Sequence, residues 1–255
     1  MATKITRMPE RRAVPANDPR AALLQDLLCG FHIMDMSGQP SGMGSHFTAR
    51  LPGASTFFFH IHNYGFGEVT PDHIHEADFD LNVLSGEGID INPTLHIHTR
   101  IYTARPDVNA IIHTHARHVS ALSAIGANLE TVSQPGARYY GGCVLYDEDN
   151  GVAIGKDPGT AMARALGAEG CAMVLKNHGL LAVGRSIPEA VAMAITMEEQ
   201  AEIQLMAMAA GRLDLASHED NLRTRDYLRS DTMISRAWAW YMRRLAAERP
   251  HVLRM

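Results

Sequence analysis

The chain has 255 residues, 46% of them hydrophobic and 20% charged, with a formal net charge of −5. This composition is that of an ordinary globular protein, and its acidic balance gives no reason to expect nucleic acid or an anionic membrane as a partner. No uncharged apolar run is long enough to cross a bilayer as a helix. Three scattered cysteines without paired spacing indicate reduced thiols in a cytoplasmic protein.

The N-terminal third is predicted to contain one helix followed by short strands. Asp18-Pro19 is a cap and first-turn signal, and leucines at helical spacing predict a helix over residues 19–34. We expect residues 1–18 to form a flexible or subunit-wrapping arm. Gly, Pro and Ser are frequent in residues 37–45, which predicts a loop. Apolar and β-branched runs predict strands over residues 47–51, 56–61 and near 77–84.

The rest of the chain alternates between predicted helices and strands. Ser186 and Glu189 have capping-box spacing and open a predicted helix of about two dozen residues that Gly211 ends. Further helices are predicted over residues 93–105, 117–126, 157–167 and, singly or as several, 221–255. Buried strands are predicted over residues 108–112, 144–146, 172–176 and 180–183. This mixture favours one α/β domain whose sheet is covered on both faces.

Histidines are the unusual component, with 14 in the chain. The predicted strand at 108–112 runs into His113 and His115, which lie two residues apart and therefore share a face. A second apolar strand runs into His178 at a turn. Three neutral imidazoles suit zinc, with manganese, iron or cobalt as alternatives. For an isolated His-x-His pair, the commoner alternative is two polar strand-end residues near solvent.

Two stretches of sequence, taken together, favour a metal site over polar strand-end residues. Residues 105–118 (RPDVNAIIHTHARH), followed some sixty residues later by residues 175–184 (LKNHGLLAVG), resemble the class II aldolase/adducin superfamily. The resemblance covers about residues 20–211. It implies that His113, His115 and His178 bind a catalytic divalent metal.

The same resemblance implies the fold and the assembly. We expect a three-layer αβα sandwich around a mixed, mainly antiparallel sheet, formed by residues 19–255 as a single domain with a C-terminal helical extension. The family is usually assembled as a homotetramer with active sites between subunits. We therefore expect a homotetramer here too.

The chain departs from the sugar-phosphate aldolases of that family at three places. Asn92 and Thr94 fall in the family's Pro-Ser-Ser-Glu segment, so Thr94 stands where the catalytic and metal-binding glutamate is expected. Tyr64 replaces the threonine of a phosphate-binding Thr-Gly turn, and His46 replaces the asparagine of an anion-binding loop. These changes resemble the adducin-like branch, and they predict a substrate-binding role for all four residues.

Four more residues are candidates for the site. His98 lies four residues after Thr94 on the predicted helix, so it could reach the metal or a substrate carboxylate where Glu would have served; the alternative is a half-buried histidine bonded to a backbone carbonyl. His118 could orient a ligand or act as an acid or base, or be a surface histidine at a helix start. Gln134 aligns with an aldolase tyrosine from the neighbouring subunit, and Tyr140 is close to it in sequence.

Loss of phosphate-holding groups argues against a sugar phosphate, because buried phosphate oxygens without donors are costly. The resulting hypothesis is a metal-dependent lyase that decarboxylates, or cleaves by aldol-type chemistry, a small non-phosphorylated hydroxylated or aromatic carboxylate. One alternative is a non-haem iron oxygenase that uses the same three histidines. Another is a non-catalytic, adducin-like interaction module.

Overall fold

The structure is a computed structural model that describes residues 18–39, 44–148, 151 and 153–255. The expected arm at residues 1–18 lies outside this part except for Asp18, as do four residues of the predicted loop at 37–45. Helix α1 (Pro19–Met36) begins where the Asp-Pro signal predicted, because the Asp18 side chain accepts a hydrogen bond from the Arg20 backbone N–H at 2.8 Å. It ends two residues later than expected.

Seven strands in the described part of the chain form one sheet. They are β1 (His46–Ala49), β2 (Thr56–His60), β3 (Ile74–Asp78), β4 (Ala110–Thr114), β5 (Cys143–Tyr146), β6 (Ala172–Leu175) and β7 (Gly179–Gly184). Their order across the sheet is β3-β2-β1-β4-β7-β6-β5. The β5–β6 pair is parallel and the other pairs are antiparallel. The predicted mixed, mainly antiparallel sheet is therefore confirmed.

Helices follow and connect the strands. They are α2 (His96–Ala104), α3 (Arg117–Ala124), α4 (Lys156–Leu166), α5 (Ile187–Ala210), α6 (His218–Leu228) and α7 (Asp231–Glu248). The capping signal at Ser186 is confirmed, since its side chain accepts from the Glu189 backbone N–H, and Gly211 ends α5. Among the described residues, no helix combines the length and apolar character that a membrane span needs.

Two hydrophobic cores lie on opposite faces of the sheet. On β4, Ala110 and Ile112 belong to the core formed with α1, α3, α5 and α7. Ile111 points to the other face and belongs to the core formed with α2 and α4. Because side chains alternate along a strand, this arrangement puts helices on both faces, and the predicted three-layer αβα sandwich is confirmed.

The strand predicted near residues 77–84 is displaced toward the N-terminus. Strand β3 ends at Asp78, whose carboxylate accepts from the backbone N–H groups of Asp80 and Asn82, both at 2.9 Å. Leu81 takes a left-handed conformation with φ of 66°. An Asp side chain that bonds the backbone ahead of it competes with strand pairing, so the chain turns where apolar content alone predicted a strand.

The turn between β6 and β7 has no room for a side chain at its glycine. A Cβ atom on Gly179 would lie 2.3 Å from the Thr114 carbonyl oxygen and 3.1 Å from the His115 Cα atom. Both of those atoms are backbone, so neither can rotate away. The glycine that follows His178 is therefore required by the close approach of two chain segments.

We predict that Gly179→Ala destabilises the protein by about 1–3 kcal/mol, as overpacking of a tight site does, and lowers metal content by moving His178. Urea unfolding and metal analysis measure the two effects. Gly211→Ala is the matched control, because a Cβ there meets nothing within 4 Å and its backbone is extended. It should change stability by less than about 0.5 kcal/mol. Equal stability of the two variants would contradict the steric argument.

Candidate metal centre

Three histidines converge at the end of two inner strands of the sheet, where β4 ends and β7 begins. His113 is the fourth residue of β4 and pairs with Leu181 of β7, while His115 and His178 lie just beyond the two strands. One ring nitrogen from each of the three lies within 4.8 Å of the others. The His115 Nε2 atom is 3.2 Å from His113 Nε2 and 2.8 Å from His178 Nε2.

These separations fit three ligands of one metal ion. With metal–nitrogen bonds of about 2.0–2.1 Å, neighbouring ligand nitrogens are about 3.3 Å apart in a tetrahedral site and about 2.9 Å apart in an octahedral one. The His113 Nδ1–H donates to the Leu180 carbonyl at 2.7 Å, so its Nε2 carries the lone pair that a metal needs. A carbonyl that fixes the ligand tautomer in this way is typical of protein metal sites.

The protonation state of the three histidines also favours a metal. Burial holds the pKa of His113 well below its usual value, and nearby histidines lower this pKa further. Burial also lowers the pKa of His115 and of His178. Neutral imidazoles are the form that binds a metal ion, so the trio is suited to a divalent cation without first losing protons.

Helix α3 holds the backbone of one candidate ligand, His178. The Ser120 hydroxyl donates to the His178 carbonyl at 2.8 Å, and the His178 backbone N–H donates to Ser123 Oγ at 3.3 Å. The Glu198 carboxylate accepts from the backbone N–H groups at the start of α3 and satisfies its free donors. His118 also contacts Glu198, with Nδ1 at 2.9 Å from the carboxylate, so its side chain is held by α5.

His46 lies beside the trio on the neighbouring strand. It pairs with His113 across β1 and β4, and the two rings have centroids 4.7 Å apart. Its Nδ1 is 2.7 Å from His98 Nε2, and His98 Nδ1 is 2.7 Å from Thr48 Oγ1. The Thr48 hydroxyl is in turn 2.8 Å from the Tyr102 hydroxyl.

His98 takes neither of the two roles that the sequence left open, since its partners are His46 and Thr48. It is fully buried behind His46, and both of its ring nitrogens are occupied. We therefore revise its expected role from direct contact to support of His46. Burial lowers the pKa of both histidines well below the usual value and raises that of Tyr102, so all three groups are neutral near pH 7.

A small cavity of about 10 Å³ opens next to His46. Asn92, His60 and His62 line it together with Ser45. The Asn92 side-chain oxygen accepts from the Thr94 backbone N–H at 3.0 Å and from its hydroxyl at 2.7 Å. Asn92, in the segment that replaces the family's Pro-Ser-Ser-Glu, therefore borders the same space as His46 and caps the 3-10 turn in which Thr94 lies.

The other predicted site residues have contacts elsewhere. Tyr64 packs against His73, with ring centroids 4.0 Å apart and the ring planes tilted by 35°. Tyr140 has its hydroxyl 2.7 Å from His218 Nδ1 of α6. Gln134 opens a 3-10 helix over Gln134–Tyr139. A role for Tyr140 or Gln134 in a neighbouring subunit's site stays a prediction.

Three residues around the site were missed at the level of sequence. Thr48 and Tyr102 carried a usable signal, because each shares a face with a predicted site residue: Thr48 lies two residues after His46 on a strand, and Tyr102 lies four after His98 on a helix. Glu198 carried no such signal. It lies 80 residues from His118, so only folding brings the two together.

Comparison with known proteins agrees with this architecture. Residues 25–205 match the family model of the class II aldolase and adducin N-terminal domain. The decarboxylase NovR of Streptomyces niveus is 28% identical over 160 residues, which cover 62% of this chain and 59% of that protein. A 4-hydroxy-3-prenylphenylpyruvate oxygenase/4-hydroxy-3-prenylbenzoate synthase of Streptomyces roseochromogenus is 29% identical over 159 residues, covering 62% and 57%.

A solved structure supports the same conclusion at the level of the fold. The L-fuculose 1-phosphate aldolase from Glaciozyma antarctica superposes with a TM-score of 0.83 and 26% identity, over 96% of each chain. The superposition and the span of the family match agree. The chain belongs to the class II aldolase and adducin family.

Proposed function

We propose that this protein is a metal-dependent lyase that breaks a carbon–carbon bond in a small, non-phosphorylated hydroxylated or aromatic carboxylate. Decarboxylation and aldol-type cleavage are the two reactions within this class. The observation that carries the proposal is the histidine trio with a buried histidine, His46, beside it. The similarity to the decarboxylase NovR supports it further.

His113, His115 and His178 would hold the divalent ion. Their three nitrogen donors favour zinc, with manganese, iron and cobalt as alternatives. When bound, such an ion would supply Lewis-acid stabilisation of negative charge on a substrate oxygen. The fixed tautomer of His113 and the clamp of α3 on the His178 backbone hold the donors in place before any ion arrives.

His46 and Asn92 would meet the substrate. A neutral imidazole offers at most one N–H donor, which suits one carboxylate oxygen. A phosphate monoester has several strong acceptor oxygens, and each one left without a donor in a buried site is costly. The replacement of an asparagine amide by His46 and of a threonine hydroxyl by Tyr64 therefore favours a carboxylate over a sugar phosphate.

An iron-dependent oxygenase on the same three histidines is the second candidate. Its support is the similarity to a protein described as an oxygenase of a prenylated hydroxyphenylpyruvate, together with the ability of a three-ligand ferrous site to keep open positions. Iron content separates the two candidates: zinc or manganese in the purified protein favours the lyase, and ferrous iron favours the oxygenase.

The setting of this activity is part of the proposal. We expect a cytoplasmic homotetramer in which Tyr140 and Gln134 approach the site of a neighbouring subunit. The partner is a small-molecule substrate rather than a nucleic acid or a membrane, in keeping with the net charge of −5.

We predict that His178→Ala loses most of its bound metal and activity and keeps its fold. Removal of an outer-shell partner of a metal ligand costs about 10–100-fold in affinity, so removal of a ligand should cost at least about 100-fold. Because His178 is only partly buried, the helical content should not change. Metal analysis and circular dichroism measure these effects, with the exposed His251→Ala as control. Full metal occupancy in His178→Ala would refute the ligand assignment.

We expect L-fuculose 1-phosphate and ribulose 5-phosphate to give no turnover above background. The physical reason is that His46 and Tyr64 stand in place of the asparagine and threonine to which the family resemblance assigns phosphate binding. Salicylate, which carries a hydroxyl beside a carboxylate, should instead change the visible spectrum of the cobalt-loaded protein. Rapid cleavage of either sugar phosphate would show that the anion-binding loop has been misinterpreted.

We predict that Thr94→Glu weakens salicylate binding to the cobalt-loaded protein. At an effective dielectric of 20, two like charges repel by about 4 kcal/mol at 4 Å and about 2 kcal/mol at 8 Å, which corresponds to a loss of at least tenfold. Thr94→Gln is the matched control, since it has the same size without the charge. Titration at equal cobalt content compares the two, and equal affinities would argue against a carboxylate bound near Thr94.

A further inference from the structure

A chain of four buried polar groups runs from the middle of α2 to the edge of the metal centre. In order, its members are the Tyr102 hydroxyl, the Thr48 hydroxyl, the His98 imidazole and the His46 imidazole, joined by contacts of 2.8, 2.7 and 2.7 Å. All four residues are at most 3% exposed. At His46 the chain meets the cavity and the ring of His113.

The donor and the acceptor in each of these hydrogen bonds follow from a count of the hydrogens on the four groups. Within the described part of the protein, the Thr48 and Tyr102 hydroxyls have no hydrogen-bond partners other than these four groups. If Tyr102 donates to Thr48, and Thr48 donates to His98 Nδ1, then the His98 Nε2–H donates to His46 Nδ1. In this arrangement both hydroxyl hydrogens and the His98 N–H each have an acceptor, and the fourth hydrogen, on His46 Nε2, is left at the end of the row that borders the cavity.

Every other direction leaves a buried hydroxyl hydrogen without an acceptor. If His98 donated to Thr48 and Thr48 donated to Tyr102, the Tyr102 hydrogen would be unpaired. If His98 and Tyr102 both donated to Thr48, the Thr48 hydrogen would be unpaired. Each direction leaves one hydrogen unpaired, and an unpaired donor in the core carries its full desolvation cost. The first direction is preferred because it leaves that hydrogen on His46, which lines the cavity, rather than on a hydroxyl in the core.

The preferred direction determines the tautomer of His46. Its Nδ1 accepts from His98, so the single hydrogen of the neutral ring is on Nε2. A nitrogen that carries hydrogen donates and does not bind a metal. The three candidate metal ligands, His113, His115 and His178, do not include the adjacent His46, so the proposed donor role does not compete with metal binding.

We propose that Thr48 and Tyr102 are positioning residues that hold His46 as an Nε2–H donor beside the metal centre, where it binds an acceptor oxygen of the substrate. The carboxylate as the source of that oxygen rests on the proposed function. The tautomer of His46 does not rest on the proposed function, because it follows from the hydrogen bonds among the four buried groups.

Two variants test the direction of the chain. Thr48→Ser keeps the hydroxyl and should keep the Nε2–H tautomer of His46. The double variant Thr48→Val with Tyr102→Phe removes both hydroxyls, so nothing remains that distinguishes the two directions. In that variant we expect His46 to become a mixture of tautomers, and thermal unfolding checks that the fold survives.

The primary measurement is nitrogen-15 NMR of histidine-labelled, metal-free protein, in which protonated and bare ring nitrogens have separate chemical shifts. We expect a bare Nδ1 and a protonated Nε2 for both His46 and His98 in the wild type and in Thr48→Ser. A wild-type His46 protonated on Nδ1 would overturn the proposal even if the double variant failed to fold. So would an unchanged pure tautomer in the folded double variant.

The second measurement is salicylate affinity of the cobalt-loaded proteins at matched cobalt content. We expect the double variant to bind about two- to tenfold more weakly than wild type, because the apparent affinity falls with the fraction of His46 that keeps the Nε2–H tautomer. We expect Thr48→Ser to bind normally. Unchanged affinity in the double variant would overturn the role of His46 as the donor. Absence of salicylate binding by the wild type, with the tautomers as expected, would instead refute the substrate class of the proposed function.

Discussion

The antiparallel pairing of β1, β4 and β7 is the constraint on which the site depends. It sets His46 opposite His113 and brings His178, at the turn before β7, to the end of β4. A shift of register by one residue would turn His113 and His46 to the opposite face. Because both faces of these strands are buried against helices, such a shift would also break two hydrophobic cores.

Burial has two consequences at the edge of this sheet. It keeps His46, His98 and His113 neutral, which suits donors and metal ligands better than cations. It also makes every hydrogen on a polar group costly to leave unpaired. The second consequence gives the chain from Tyr102 to His46 a direction, and a histidine that replaces an asparagine becomes a donor with a defined tautomer.

Local signals predicted most helices and strands correctly, because caps and alternation act over a few residues. The Asp18 and Ser186 caps are examples. The β3 strand was predicted too late, since an Asp78 side chain that binds the backbone ahead of it outweighed apolar content. For His98 the sequence left open a contact with the metal or substrate and a bond to a backbone carbonyl. Only the packing of α2 on β1 shows that it contacts His46 and Thr48.

The amino-acid sequence by itself determined the family, the order of elements and the three candidate metal ligands, because His113, His115 and His178 lie in short segments whose spacing identifies them. Only the tertiary structure decided which residues support the candidate ligands and the neighbouring histidines. Glu198 caps α3 from 80 residues away, and Thr48 joins His98 across 50. Contacts between such distant residues depend on how helices pack on the sheet, which no local pattern encodes.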